Sequence, residues 1–330
     1  MSAVSAPAPP GLDAGRRRFG RLGLAGAIYT YVLVVYGGLV RITGSGMGCG
    51  DHWPDCNGTL TPRLDLPTFI EFSHRILAAG LSLLTLWIVI LAWRHRNDPA
   101  LRGRGGLARP AFLAGTLIVV QVLLGAITVK LDLPAGVTAL HFVTALTLLA
   151  TFANMAVRGG MFDGGLAAMR TNAGRLSPVA LIAAGLGLLV VTFGALTANV
   201  GMTGPVPPSG AAMACQGFPL CNGKLLPGGT PWVDIQWTHR MLAYLLFFYV
   251  FVAGIATLRR SAPPAVAAFA RASMVVVVLQ VIVAAGLVLM HLPEGFQVLH
   301  LAVGAGLWAC LAFWAALARR VEAPATRFAR

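Results

Sequence analysis

Four of the seven histidines sit where ionisable side chains are costly. His74, His141, His239 and His300 fall inside long apolar runs, whereas His95 lies in a basic stretch and His52 and His291 in polar connections. An ionisable residue at membrane depth usually serves a function. The four also recur as a repeated pair. Ile70-Glu-Phe-Ser-His74-Arg-Ile-Leu-Ala returns as Ile235-Gln-Trp-Thr-His239-Arg-Met-Leu-Ala. Gln121 followed by Leu140-His141 returns as Gln280 followed by Leu299-His300. Two imidazoles per repeat suit bis-histidine ligation of a haem iron. Zinc or copper fits less well, because a third or fourth ligand from Cys or carboxylate is missing at that level.

The repeat is unequal beside the histidines. Glu71 stands three residues before His74, and Gln236 three before His239. That spacing puts each on the same helical face as its histidine. A carboxylate can move protons, while an amide can only hydrogen-bond. The first pair therefore reads as a reaction site and the second as an electron-carrier site. The plainer alternative is that Glu71 pairs with Arg75 or orients His74. Arg75 and Arg240, each directly after a histidine, are candidates for haem propionates, as is Arg41. Snorkelling to the interface is the competing role for both arginines.

The elements that must carry these residues are membrane helices. The chain has 330 residues, 57% hydrophobic and 11% charged, with a mean hydropathy of +0.76. Spanning a bilayer takes about 20 apolar residues. Eight runs qualify, at 21–42, 68–93, 111–130, 136–157, 177–199, 233–258, 272–290 and 296–318. The expected fold is an all-α integral membrane protein, its eight transmembrane helices forming two pseudo-symmetric four-helix bundles. The expected division is a tail at 1–20, a first half at 21–158, a linker at 159–176, a second half at 177–318 and a tail at 319–330. An even helix count per half makes these parallel repeats.

A net charge of +14 first suggests nucleic acid. Its distribution argues otherwise. Arg16, Arg17, Arg18 and Arg21 precede the first run, and Arg94, Arg96, Arg102, Arg104 and Arg109 lie between the second and third. Arg158, Arg170 and Arg175 follow the fourth; Arg259, Arg260 and Arg271 follow the sixth; Arg319, Arg320, Arg327 and Arg330 end the chain. All fall on one face, which the positive-inside rule makes cytoplasmic, with both termini inside. No nucleic-acid partner is expected, and membrane lipid is the surround.

This topology puts Cys49, Cys56, Cys215 and Cys221 in outer loops, on the oxidising side of an inner membrane. Cys49–Cys56 and Cys215–Cys221 are then candidate disulfides, each closing a small loop. A four-cysteine metal site is the alternative, without the usual CxxC spacing. Cys310, in the last run, reads as packing. The outer loops at 43–67 and 200–232 are expected to fold over the bundle as caps. Helices two, four, six and eight all enter from outside. His74 and His239 lie about six residues into their runs, and His141 and His300 four or five, so all four sit within roughly 10 Å of the outer boundary.

The segment Val40-Arg-Ile-Thr-Gly-Ser-Gly-Met-Gly-Cys49, Trp53-Pro54 before Cys56, Glu71-x-x-His74-Arg75 and its echo at His239-Arg240 resemble the haem A synthase family of cytochrome oxidase assembly. The resemblance spans about 20–318, including both cysteine pairs and all four histidines. It implies oxidation of the C8 methyl of haem O to a formyl group, by successive hydroxylations and loss of water. It implies haem b as cofactor on His239 and His300, haem O as substrate and haem A as product at His74 and His141, and a role for Glu71 in activity. His52 has no role in that pattern. Haem O synthase is the expected substrate donor, and a homo-oligomer is left open. No flavin or nicotinamide fingerprint is present, so electrons are expected from an external donor. A two-haem membrane cytochrome b and a haem transport or delivery protein are the competing readings; the first would place its haems at two depths.

Overall fold

The computed structural model describes residues 10–63, 65–98, 101–102, 106–165, 176–200 and 210–322. Arg104, Arg170, Arg175, Arg327, Arg330 and most of the 159–176 linker lie outside the described residues. The described chain is all-helical, with eight helices long and apolar enough to cross a membrane. They are α1 (Pro10–Ile42), α2 (Leu66–Arg94), α3 (Ala108–Lys130), α4 (Ala135–Arg158), α5 (Ser177–Asn199), α6 (Pro231–Arg259), α7 (Pro264–Leu289) and α8 (Glu294–Glu322).

Three boundaries lie four or more residues from the hydropathy reading. α1 begins at Pro10 rather than 21, so Arg16, Arg17, Arg18 and Arg21 are helical. Arginine is a good helix former, and hydropathy sees only the apolar part. α7 begins at Pro264 rather than 272, with Pro264 at its first position, where a missing N–H costs nothing. Arg271 is thus inside a helix, and α8 likewise runs past 318 to Glu322.

Each half closes on itself in the same way. α1 packs on α2 and α4, and α3 on α2 and α4; α5 packs on α6 and α8, and α7 on α6 and α8. The halves meet where α4 packs on α8 and α5, and α1 on α8. α8 is the most enclosed span, with 56% of its apolar window buried, whereas α3 has only 11%. The outward faces of α3 and α7 are therefore lipid-facing. Inside a bilayer such helices are held by packing and hydrogen bonds rather than by hydrophobic burial. Trp308 Nε1 donates to the Leu146 carbonyl at 2.9 Å, and the Tyr31 hydroxyl to that of Ala302 at 3.2 Å, tying the halves at mid-depth. At the arginine-rich end, Asp163 accepts from Arg16 of α1 at 2.8 Å and from Arg320 of α8 at 3.1 Å.

Matching local devices start and stop the corresponding helices. Asp65 caps α2 by accepting from the Thr68 N–H, and Thr230 caps α6 by accepting from that of Val233. The α3–α4 turn passes through left-handed Asp132 and Leu133, and the α7–α8 turn through left-handed His291 and Leu292. A proline then opens the next helix in both cases. The disulfides Cys49–Cys56 and Cys215–Cys221 are formed, and each loop carries a cis X–Pro bond, at Trp53–Pro54 and Phe218–Pro219. Cys310 is half-buried and unpaired with another cysteine.

Candidate haem sites

The helix starts place the histidines. His74 is the ninth residue of α2 and His239 the ninth of α6; His141 is the seventh of α4 and His300 the seventh of α8. At about 1.5 Å per residue, all four lie one and a half to two and a half turns below the same end of the bundle. Among the described residues no group of three or more His, Cys, Asp or Glu gathers. The donor set is two imidazoles per half.

Glycines back these rings. A Cβ on Gly37 of α1 would lie 3.1 Å from His74 Cε1, and one on Gly194 of α5 would lie 2.9 Å from His239 Cε1. Gly125 of α3 stands similarly to His141, at 3.5 Å. Glycine lets the helix wall approach each imidazole closely, so the ring is held against backbone. Two buried imidazoles in each half, with no further ligand beside them among the described residues, fit the two axial positions of a haem iron.

The two pairs are supported differently. His239 Nδ1 donates to the Val190 carbonyl at 3.0 Å, which leaves Nε2 with its lone pair available to a metal. The Gln280 amide nitrogen donates to the His300 carbonyl and lies 3.1 Å from His300 Nδ1. In the first half, Nδ1 of His74 is buried without a hydrogen-bond partner, while the amide oxygens of Gln121 and Gln280 are buried without one in both halves. His141 meets the Gln121 main chain. Tyr36 stacks on His74, with ring centroids 6.2 Å apart, and its hydroxyl lies 2.6 Å from that of Ser73. The corresponding positions of the second half hold Phe193 and Thr238.

A model of the cytochrome oxidase assembly protein family matches residues 20–312. The chain belongs to that family. Among its relatives, a protein named heme A synthase from Symbiobacterium thermophilum is 37% identical over 224 residues, which is 67% of this chain and 70% of the relative. Another of that name from Bacillus licheniformis is 31% identical, covering 72% and 75% of the two chains. A third, from Bacillus cereus, is 29% identical, and the match covers 88% of this chain and 90% of the relative.

Within this family member, the residues around the histidines hold the disulfide loops. Glu71 is 3% exposed; its Oε2 accepts the Cys49 N–H at 2.8 Å, and its Oε1 pairs with Arg75 at 2.5 Å. Arg75 also donates to the carbonyls of His52 and Asp55. Gln236, 5% exposed, repeats the first contact, accepting the Cys215 N–H at 2.5 Å while donating to the Ala212 carbonyl. Arg240 donates to the carbonyls of Cys215, Gly217 and Leu220. The loops thus rest on the first turns of α2 and α6. A Cβ on Gly48 would come 2.5 Å from the Pro67 backbone.

This changes the reading of the arginines. Arg75 and Arg240 were candidates for propionates or for snorkelling to the interface; their guanidinium groups donate to the loop carbonyls. A main-chain acceptor more than twenty residues away leaves no trace in sequence spacing. The pairing of Glu71 with Arg75, the plainer alternative to proton handling, is present. Sequence reasoning assigned no role to Gly37, Gly194, Tyr36 or Gln280, although the recurrence of Gln121 as Gln280 carried a signal.

Proposed function

We propose that the protein converts haem O to haem A, oxidising the C8 methyl to a formyl group by successive hydroxylations followed by loss of water. The observation that carries this reading is the unequal support of two otherwise matched histidine pairs. His239 Nδ1 is held by the Val190 carbonyl with Nε2 left free, which suits a resident haem b. His74 has a buried, unpartnered Nδ1, which suits a substrate that arrives and leaves. Haem b, when bound, supplies a one-electron carrier.

The protein's own groups do the rest. The half-buried histidines fix the substrate porphyrin on the wall formed by Gly37 and Gly125. Glu71 holds the Cys49–Cys56 loop across the start of α2 and is the buried carboxylate available to hand on a proton. Arg75 and Arg240 act as positioning residues that keep each loop seated. The family match and the relatives' name support the same reaction. The proposed setting is the cell inner membrane, with both termini cytoplasmic and the disulfide loops outside. Haem O synthase is the proposed substrate donor, and an external partner provides the electrons. Four histidines at one end of the bundle speak against a cytochrome b with haems at two depths.

The test is to co-express the chain with a haem O source and identify the extracted haems by mass. Haem A should appear under aerobic conditions. Recovery of haem b with unchanged haem O alone would overturn the proposal. Glu71→Gln should keep the haem b spectrum and abolish haem A. Gln236 shows that an amide oxygen can hold a cysteine N–H at this place, so the loop stays docked and the loss belongs to the charge. Normal haem A output from Glu71→Gln would remove the proton-handling role.

A further inference from the structure

Arg41 marks a break in the repeat that lies at the contact between the two halves. With Gly37 matching Gly194, the partner of Arg41 in α5 is Ala198, and these two residues touch: Arg41 Nη1 donates to the Ala198 carbonyl at 2.8 Å. That is its only hydrogen bond among the described residues, and none of the described ion pairs includes it. A half-buried guanidinium has five N–H donors and holds its charge, so a single carbonyl leaves most of its binding capacity unused. Arg75 and Arg240, by contrast, are occupied by the disulfide loops.

Its place in the fold says what it faces. On α1, Arg41 is one turn beyond Gly38, and a Cβ on Gly38 would collide with Leu301, the residue next to His300. On α5, Ala198 is one turn beyond Gly194, which backs His239. Both routes put the Arg41 guanidinium one turn nearer the bundle end than the second histidine pair, although Arg41 belongs to the first half. We propose that Arg41 binds a carboxylate of the porphyrin held by His239 and His300, so that the cofactor site of the second half is completed by a residue of the first. This rests on the haem reading above. Guanidinium–carboxylate hydrogen bonds are the strong, charge-assisted kind, and a partly desolvated one is worth roughly ten- to a hundredfold in affinity.

The test pairs two forms of the full-length protein with two porphyrins. The detergent-purified chain, freed of haem, is titrated with iron protoporphyrin IX and with its dimethyl ester, following the Soret band. The unmodified chain should prefer the free acid by tenfold or more. R41Q should lose that preference by weakening free-acid binding while leaving diester binding unchanged, which also reports an intact fold. Arg41→Lys should fall between. In the holoprotein, R41Q should shift the haem b midpoint potential to more negative values, because a cation near the iron has gone. An unchanged acid-to-ester ratio in R41Q overturns the proposal and leaves Arg41 facing some other anion, such as a lipid headgroup. If His239→Ala leaves the Soret titration unchanged, the haem reading itself fails, which is a separate result.

Discussion

At the residue scale, Glu71 and Gln236 are the informative pair. Both are buried, and both accept the N–H of the first cysteine in their loop. Their shared task is to satisfy a backbone donor that would otherwise be buried unpaired. Gln236→Leu should therefore cost about 1–3 kcal/mol, because the Cys215 N–H and the Ala212 carbonyl are left without partners; thermal unfolding of the detergent-solubilised protein measures it. What remains special to Glu71 is its charge and its pairing with Arg75. The sequence reading located both residues from spacing alone, because a helical period of three or four is fixed. It could not locate what they hold, since the acceptors and donors are main-chain groups of loops, which carry no residue type.

At the element scale, the fit of helix against histidine decides the sites. Gly194→Val should push His239 off its α5 wall, since even a Cβ there would lie 2.9 Å from the ring. The expected result is loss of the haem b spectrum with the chain still inserted in the membrane, checked by absorbance against protein yield. The helix starts differ in another way. Hydrogen bonds from Thr68 hold the Asp65 carboxyl below the usual range. A carboxyl depressed in the folded state contributes stability above its unfolded value and loses it as pH falls through the folded one. Thr230, capping α6, does not titrate in this range. Acidification should thus loosen the first turn of α2 and not that of α6, read by amide exchange corrected for its intrinsic pH dependence. Helix number and approximate spans were legible because about 20 apolar residues are needed to cross a bilayer. The starts of α1 and α7 were not, because Arg16, Arg17, Arg18 and Arg21 occupy the early turns of α1 and Arg271 interrupts the apolar run of α7.

At the scale of the whole molecule, the halves are joined at both ends of α1. Asp163 gathers Arg16 and Arg320 at one end, and Arg41 meets Ala198 at the other. Asp163→Asn removes a partly exposed ionic link. It should cost about 1 kcal/mol at low ionic strength and less as salt is raised, seen as a salt-dependent fall in thermal stability. The internal repeat was legible from four histidines and four cysteines in constant order. The contacts between halves, with α4 against α8 and α1 against α8, were not, because they depend on small residues and shape rather than on recurring types. Leu301 seated against Gly38 is the clearest of these. Gly38 follows the glycine that backs His74, and Leu301 follows His300, so one knob in one socket stands between the two histidine pairs. Electron passage between two centres falls steeply with separation. On the proposed reading, a rigid spacer at this point keeps the separation of cofactor and substrate constant from one turnover to the next.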